Sequence, residues 1–327
     1  MKHGGNVWEG GDPAKWLDFS ANLRPEGPPE WVQSTLAAAL ADARYYPDRR
    51  MRAAREGLAA YLGVPAENVL PTAGGAAAID LALGMRAGRV LARRDTFGEY
   101  AERARAHGRA AQEMDTPACP GDTAVLCNPN NPTGEALPRA EALALHRRLK
   151  ERGAELLADE AFIDFCPEHT LRRDVCDTLT VVGSLTKLLC VPGIRLGYAV
   201  GAPRVIREME ERAVAWSLNA LAAAVAAELP RHKAEIAADI QRNSARRERF
   251  SSLLREIGAR PLPSRANFLL VDFGRDMSGA AAYLKERGIL VRPCASFGLA
   301  NSFLRLAVKR DGENDILIRE IKTWLAH

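Results

Sequence analysis

Short apolar runs alternate with helical stretches through the first two thirds of the chain, and this alternation limits the possible folds more than any other feature. The runs GRVLARR around Val90, DTAVLCNP around Val125, AELLADEAF around Leu157, LTVVGS around Val181 and RLGYAV around Tyr198 each have the length and composition of a strand. Helical patterns lie between them at residues 76–85, 99–107 and 138–152. Repeated strand and helix predict an α/β fold with a largely parallel sheet. Such sheets bind ligands beyond the carboxyl ends of their strands, so the residues following each run are the first candidates for chemistry.

After about Pro230 the texture changes. A long charged helix, HKAEIAADIQRNSARRERFSSLLREIG, leads to strand-like ANFLLVDF, a helix near Ala281, strand-like GILVRP and SFLRLAV, and a final helix over 313–325. This order predicts a small α+β domain over 231–327 beside a large domain over 41–230. Residues 1–40 read as a short, turn-rich segment bordering the site and the small domain. With 47% hydrophobic residues in 327, the chain has ample material for such cores. The most apolar long stretch, AVAWSLNALAAAVAAEL, is interrupted by Ser217, Asn219 and Glu228, and predicts a buried helix rather than a membrane span.

The net charge of +4 is mostly arginine and spread along the chain. It fits either solvated helix faces or a site for anionic small molecules. No basic arm or zinc-finger spacing points to nucleic acid. Cys119, Cys127, Cys166, Cys176, Cys190 and Cys294 include no C-x-x-C pair, which points to reduced thiols in the cytoplasm and no metal centre. The N-terminal MKHGGNVWEGGDPAKW lacks an apolar signal core.

VVGSLTKLLCVPGIRLGYAV contains a single lysine, Lys187, with Arg195 following eight residues on. Burying an ammonium without a partner is costly. Lys187 is either a snorkelling surface residue or a desolvated lysine of lowered pKa, suited to forming a Schiff base with an aldehyde cofactor such as pyridoxal phosphate. Such a cofactor needs an acid beside its ring nitrogen, backbone N–H groups at a helix start for its phosphate, nearby cations and a flat group against its ring. Asp159 ends a strand-like run and suits the acid, or a simple helix cap. TAGGAAA at 72–78 is a glycine turn opening a helix. Ser184 and Arg195 flank Lys187, and Phe97 is placed either to stack on the ring or to pack in the core. CNPNNPTGEAL at 127–137 forces a defined turn that presents Asn131.

NPNNPTG, DEAF, SLTK with its following arginine, and FLRLAV together resemble the fold-type-I pyridoxal-phosphate enzymes of the aminotransferase superfamily, in which a large domain with a mostly parallel central sheet carries a small α+β domain. KHGGN, LDFSANLRPEGPP, YYPD, DEAFIDF, WSLNALA, RANFLL and LVRPCASFGL resemble the threonine-phosphate decarboxylases of the corrinoid pathway. Those enzymes decarboxylate L-threonine O-3-phosphate to (R)-1-amino-2-propanol phosphate. The histidinol-phosphate aminotransferases are neighbours with a different reaction. The resemblance leaves open a histidinol-phosphate-like aminotransferase or a decarboxylase preferring serine phosphate.

The resemblance implies pyridoxal phosphate, with Lys187 as the Schiff-base lysine, Asp159 at the ring nitrogen, Asn131 at the phenolic oxygen and Phe97 on the ring. It implies Gly75, Ala76, Ser184 and Arg195 at the cofactor phosphate, joined by Tyr46 from a neighbouring subunit, hence a homodimer with its site at the interface. It implies Arg305 at the substrate α-carboxylate, and His3, Gly5, Asn22 and Arg292 around the rest of a small phosphorylated amino acid, with His3 and Arg292 near its phosphate. Three positions depart from the wider pattern. Phe162 stands where most aminotransferases carry tyrosine, TAGGAAA lacks the polar side chains usual at the phosphate cup, and Arg24 replaces an expected asparagine, as either a site cation or a surface residue.

Overall fold

The computed structural model describes residues 4–326. In chain order, β1 (Leu17–Asp18) precedes the helices α1 (Glu30–Ala39) and α2 (Arg52–Leu62). There follow β2 (Val69–Ala73), α3 (Gly75–Leu83), β3 (Val90–Ala92), α4 (Glu99–Ala106), β4 (Ala111–Glu113), β5 (Thr123–Cys127), α5 (Arg139–Glu151), β6 (Glu155–Asp159), β7 (Leu179–Ser184), β8 (Leu196–Val200), α6 (Pro203–Arg212) and α7 (Ala220–Glu228). The C-terminal part contains α8 (Lys233–Glu256), β9 (Arg260–Pro261), β10 (Phe268–Asp272), α9 (Ser278–Glu286), β11 (Ile289–Leu290), β12 (Arg292–Pro293), β13 (Phe303–Ala307) and α10 (Asp311–Leu325).

Seven strands form a central sheet in the order β2-β8-β7-β6-β5-β3-β4. Only β8 runs against its neighbours; β7, β6, β5, β3 and β4 pair in parallel. Period-2 alternation divides the apolar side chains between two faces. Leu126, Leu156, Ala158, Val181 and Tyr198 pack with α1, α2, α5 and α7. Val125, Cys127, Leu157, Val182 and Ala199 pack with α3, α4 and α6. By the same alternation Asp159 emerges at the end of β6 on the face covered by α4.

The five strand-like runs of the first two thirds are strands. Periodicity did not reveal β2 or β4. β2 contains Pro71, tolerated because β2 is an edge strand, and β4 is the exposed, polar AQE at the other edge. The predicted buried helix over 213–229 is corrected: only 220–228 is helical, capped by the Asn219 side chain accepting from Ala222 N, while Val214 and Trp216 lie exposed. The N-terminal segment is likewise more regular than its turn-rich composition predicts. Its α1 buries Trp31 and Val32 against the large sheet's core. Among the described residues no helix is long and apolar enough to cross a membrane.

The C-terminal region builds a four-stranded antiparallel sheet, β12-β13-β10-β9, over a core of Phe250, Leu254, Leu269, Leu304, Leu317 and Ile321. GILVRP is not one strand. Ile289–Leu290 pairs in parallel with β1, and Arg292–Pro293 pairs with β13, so the chain switches sheets at Val291. Phe19 follows β1 into this core, and its carbonyl accepts from Ala307 N at 2.9 Å. The N-terminal segment is thereby tied to the small sheet on one side and, through Arg24 N donating to Lys187 O at 3.2 Å, to the Lys187 loop on the other.

Candidate active site

A cleft of about 1770 Å³ opens beyond the carboxyl ends of β5, β6 and β7, between the central sheet, the N-terminal segment and the β12–β13 pair. Gly5, Asn22, Gly75, Ala76, Phe97, Asn131, Asp159, Ser184, Lys187, Arg195, Arg292 and Arg305 all line it. His3 lies outside the described residues. Tyr46 does not line the cleft of its own chain; it is 81% exposed, its ring 5.0 Å from that of Trp216.

Lys187 follows the end of β7 and is half-buried. Its Nζ donates to Ser184 Oγ at 3.2 Å and stands 5.8 Å from the centre of the Phe162 ring. Ser184 Oγ is in turn 2.8 Å from Thr186 Oγ. Burial pushes the Lys187 amine below its ordinary value, with Asp159 opposing the shift.

Asp159 is 4% exposed. Its Oδ1 accepts from Ala161 N at 3.0 Å, and its Oδ2 accepts from the Tyr100 hydroxyl at 2.6 Å. It forms no ion pair among the described residues, and burial pushes its carboxyl above the usual range. A buried carboxylate without a contacting cation fits a ring nitrogen that arrives protonated.

The NPNNPTG loop shows why asparagine recurs. Asn128 Nδ2 donates to Leu137 O at 3.1 Å and its Oδ1 accepts from Leu137 N at 2.8 Å. Asn130 donates to Asp95 O at 2.9 Å and accepts from Thr96 Oγ at 2.7 Å. These two pin the turn. Asn131 is left to face the cleft, where its Oδ1 accepts from Arg305 Nη1 at 2.6 Å. Arg305 Nη2 donates to Ser20 O at 2.6 Å, so both ends of the guanidinium are fixed, and burial lowers its pKa to about 10.

At the other end, β2 turns into α3 through Gly74, which has φ +83° and provides no capping side chain, so the first N–H groups of α3 have no side-chain partner. A Cβ at Gly74 would lie 2.5 Å from Arg195 Nη2, and one at Gly197 would lie 2.4 Å from Gly74 C. Arg195 itself has φ +62°, a strained value for a side-chain-bearing residue, and this brings its guanidinium over the turn. With backbone donors, Ser184 and Arg195 converging, the turn needs no polar side chain of its own. Phe97 also lines the cleft, edge-on to Tyr100 with centroids 5.7 Å apart. The lysine, the uncompensated acid, the helix start and the flat ring together fit an aldehyde cofactor with a phosphate.

The substrate side is built on the small sheet. Arg292 and Arg305 are directly paired across β12 and β13. Arg292 Nη2 donates to Ser296 Oγ at 2.8 Å. Gly5 N donates to Ser20 Oγ at 2.8 Å, and a Cβ at Gly4 would lie 2.2 Å from Ser20 O, so the Gly4–Gly5 backbone lies close along Ser20. Phe162 is buried edge-on against Phe268, centroids 5.1 Å apart. Arg24 is neither a free site cation nor a surface residue: its Nε pairs with Asp239 at 2.8 Å and its Nη1 donates to Gly27 O at 2.6 Å, which neutralises it and pins the N-terminal segment to α8.

Several residues at the cleft were not singled out from the sequence. Tyr100 stands one helical turn after Phe97 in FGEY, Thr186 sits between Ser184 and Lys187, and Ser20 precedes Asn22. Lys309 lies four residues beyond Arg305, past the end of β13, and is 9% exposed in the cleft wall.

Residues 14–321 match the family model described as aminotransferase class I and II. The chain is 31% identical to a threonine-phosphate decarboxylase of Salmonella typhimurium, over 99% of this chain and 96% of the relative. It is 33% identical to a histidinol-phosphate aminotransferase of Mycobacterium bovis, over 94% of this chain and 87% of the relative. The crystal structure of L-threonine-O-3-phosphate decarboxylase from Porphyromonas gingivalis superposes with a TM-score of 0.84 at 26% identity, covering 94% of this chain and 99% of that one.

Proposed function

The chain belongs to the aminotransferase class I and II family, and from that premise we propose that it is a pyridoxal-phosphate-dependent decarboxylase converting L-threonine O-3-phosphate to (R)-1-amino-2-propanol O-2-phosphate. The observation that carries this reading is the pairing of Arg292 with Arg305 across β12 and β13, both facing the cleft. Like charges directly opposite one another destabilise a sheet, and burial disfavours both charges. A ligand with two anionic groups close together relieves both penalties. Threonine phosphate carries a carboxylate and a phosphate on one small skeleton; the 2-oxoglutarate that an aminotransferase would also take carries two carboxylates, so the choice of decarboxylation over transamination rests on the similarity to threonine-phosphate decarboxylases.

In this reading Asp159 faces the cofactor's ring nitrogen, Asn131 its phenolic oxygen and Phe97 its ring. Gly75, Ala76, Ser184 and Arg195 hold its phosphate, and Lys187 holds its aldehyde carbon. Bound pyridoxal phosphate supplies the electron sink for the bond broken at the substrate Cα.

The chain's own contribution is placement. Arg305 binds the carboxylate, and because Asn131 and Ser20 fix its guanidinium, it also sets the direction of the Cα–carboxylate bond. A cation at a carboxylate stabilises the ground state and opposes loss of carbon dioxide, so orientation has to outweigh that attraction. Arg292 anchors the phosphate end and supplies remote binding energy, with Gly5 and Asn22 against the rest of the substrate. Lys187 Nζ is the group positioned to return a proton to Cα after carbon dioxide leaves. Phe162 places no hydroxyl beside Lys187, unlike the tyrosine usual in aminotransferases.

Tyr46 completes the site of a neighbouring copy in this reading, and the enzyme works as a homodimer. Tyr46, Trp216 and Val214 support this as exposed apolar side chains. A monomer by light scattering would count against it. Six free thiols favour the reducing cytoplasm.

The test is incubation of the cofactor-loaded enzyme with L-threonine O-3-phosphate in the absence of an oxo-acid acceptor. Carbon dioxide and aminopropanol phosphate should appear in equal amounts. No carbon dioxide, with amino transfer from histidinol phosphate to 2-oxoglutarate instead, would replace this reading by the aminotransferase one. Serine phosphate lacks one methyl, a difference of about 1–3 kcal/mol in pocket fit, and should turn over roughly 10- to 200-fold less efficiently.

A further inference from the structure

A second cavity, of about 360 Å³, lies away from the cleft between α8 and the turn that enters β10. Arg247, Ser251 and Arg255 reach it from one face of α8, spaced four residues apart, and Ser264 and Arg265 reach it from the turn. Glu248 is the only acid in its lining, with a side chain 74% exposed.

Arg247 is the informative residue. It is 7% exposed, and its Nη1 donates to Ala266 O at 3.1 Å. Its Nη2 is 3.6 Å from the Glu248 carboxylate, beyond hydrogen-bond distance, and its Nε is buried with no hydrogen-bond partner. A buried guanidinium with unmet donors is costly, and Arg265 adds like-charge repulsion to the cost of burial. The side chains of Arg255 and Arg265 make no hydrogen bond or ion pair among the described residues. Three guanidiniums and the Ser251 hydroxyl therefore line a space that contains one solvated carboxylate, the Ser264 hydroxyl being spent on Phe268 O.

We propose that this cavity is a second anion site, which binds a phosphate group, either free or on a small monoester. Guanidinium forks match the oxygens of phosphate in pairs, and Arg247, Arg255 and Arg265 bring three of them to the lining. The volume suits a phosphate bearing a few further heavy atoms and excludes a polymer.

The test is calorimetric titration of the cofactor-loaded wild-type protein with inorganic phosphate and, separately, with glycerol 1-phosphate, at low ionic strength. The same titrations follow on the Arg255→Gln/Arg265→Gln double variant. Both positions are exposed, so a thermal melt should confirm that the variant is folded. The wild type is expected to bind one more equivalent of phosphate than the double variant, or to bind that equivalent at least about ten-fold more tightly. Binding of both probes identifies a pocket that admits an ester; binding of inorganic phosphate alone identifies one that takes the free ion. Equal stoichiometry and affinity in wild type and double variant, for both probes, would overturn the proposal.

Discussion

Tyr100 donates its phenolic hydrogen to Asp159 Oδ2 across 2.6 Å, from the first turn of α4 to the end of β6. The bond favours the charged carboxylate, the form a protonated ring nitrogen requires, against a burial that disfavours it. Tyr100→Phe removes a bond to a charged group, worth about 1.5–3 kcal/mol. Cofactor affinity should fall at least about ten-fold in spectrophotometric titration of the apoprotein; unchanged affinity would show that Ala161 N alone sustains the carboxylate.

Asp159→Asn should separate stability from function. Burial raises the folded-state pKa of Asp159, so the folded protein holds a proton that the unfolded chain has released. Stability is lost as pH rises from the ordinary carboxyl value through the raised one. The cofactor-free Asn variant should therefore melt higher than wild type at pH 7, while its decarboxylation falls sharply. A lower melting temperature would mean that the hydrogen bonds to Asp159 outweigh its desolvation.

Glu160, the next residue, is raised by burial as well. It accepts from Thr170 Oγ and Leu171 N, yet burial pushes its carboxyl from 4.5 to about 7, with Arg172 opposing. The same sign applies: its contribution is most favourable below about 4.5 and is lost as pH rises through about 7, a change on the order of 3 kcal/mol at most. Denaturation midpoints between pH 5 and 8 should fall less steeply in Glu160→Gln than in wild type. Parallel slopes would exclude Glu160 as the titrating group.

Lys187→Ala should abolish turnover and the visible absorbance of the bound cofactor. Nζ makes a single 3.2 Å bond, to Ser184, and burial opposes its charge, so the variant should melt no lower than wild type. A persistent visible band would assign the cofactor's attachment elsewhere.

Arg305→Lys keeps the charge and loses the planar fork that bonds Asn131 and Ser20 together. KM for the phosphorylated amino acid should rise roughly 10- to 100-fold. Because Asn131 shares that fork, Asn131→Ala should add less in the Arg305→Lys background than alone, with a coupling of about 0.5–3 kcal/mol in a double-mutant cycle. Strict additivity would separate the two residues.

Much of the cleft was legible in the sequence because its cofactor side is local. Asn131, Asp159 and Ser184 sit at or just beyond the ends of strands that apolar runs mark, and Lys187 follows three residues after Ser184. Gly75 opens a helix that a glycine turn marks. The less legible elements are those with weak patterns: β2 carries a proline at a sheet edge, β4 is polar, and the apolar stretch 213–218 before Asn219 has a composition suited to burial, yet Val214 and Trp216 there lie exposed. Apolar composition reports that a segment favours burial and does not report whether a neighbour is present to bury it.

The sequence by itself determined the strand and helix alternation and the residue types gathered around Lys187, because propensity and periodicity act over a few residues. Tertiary structure alone decided which distant groups meet. Arg292 faces Arg305 only because the chain switches sheets at Val291 and β12 pairs in register with β13. Tyr100 reaches Asp159 because α4 covers the face on which β6 ends, and Asp239 neutralises Arg24 from 215 residues away. Sheet register and helix packing set these encounters, and no local pattern encodes them.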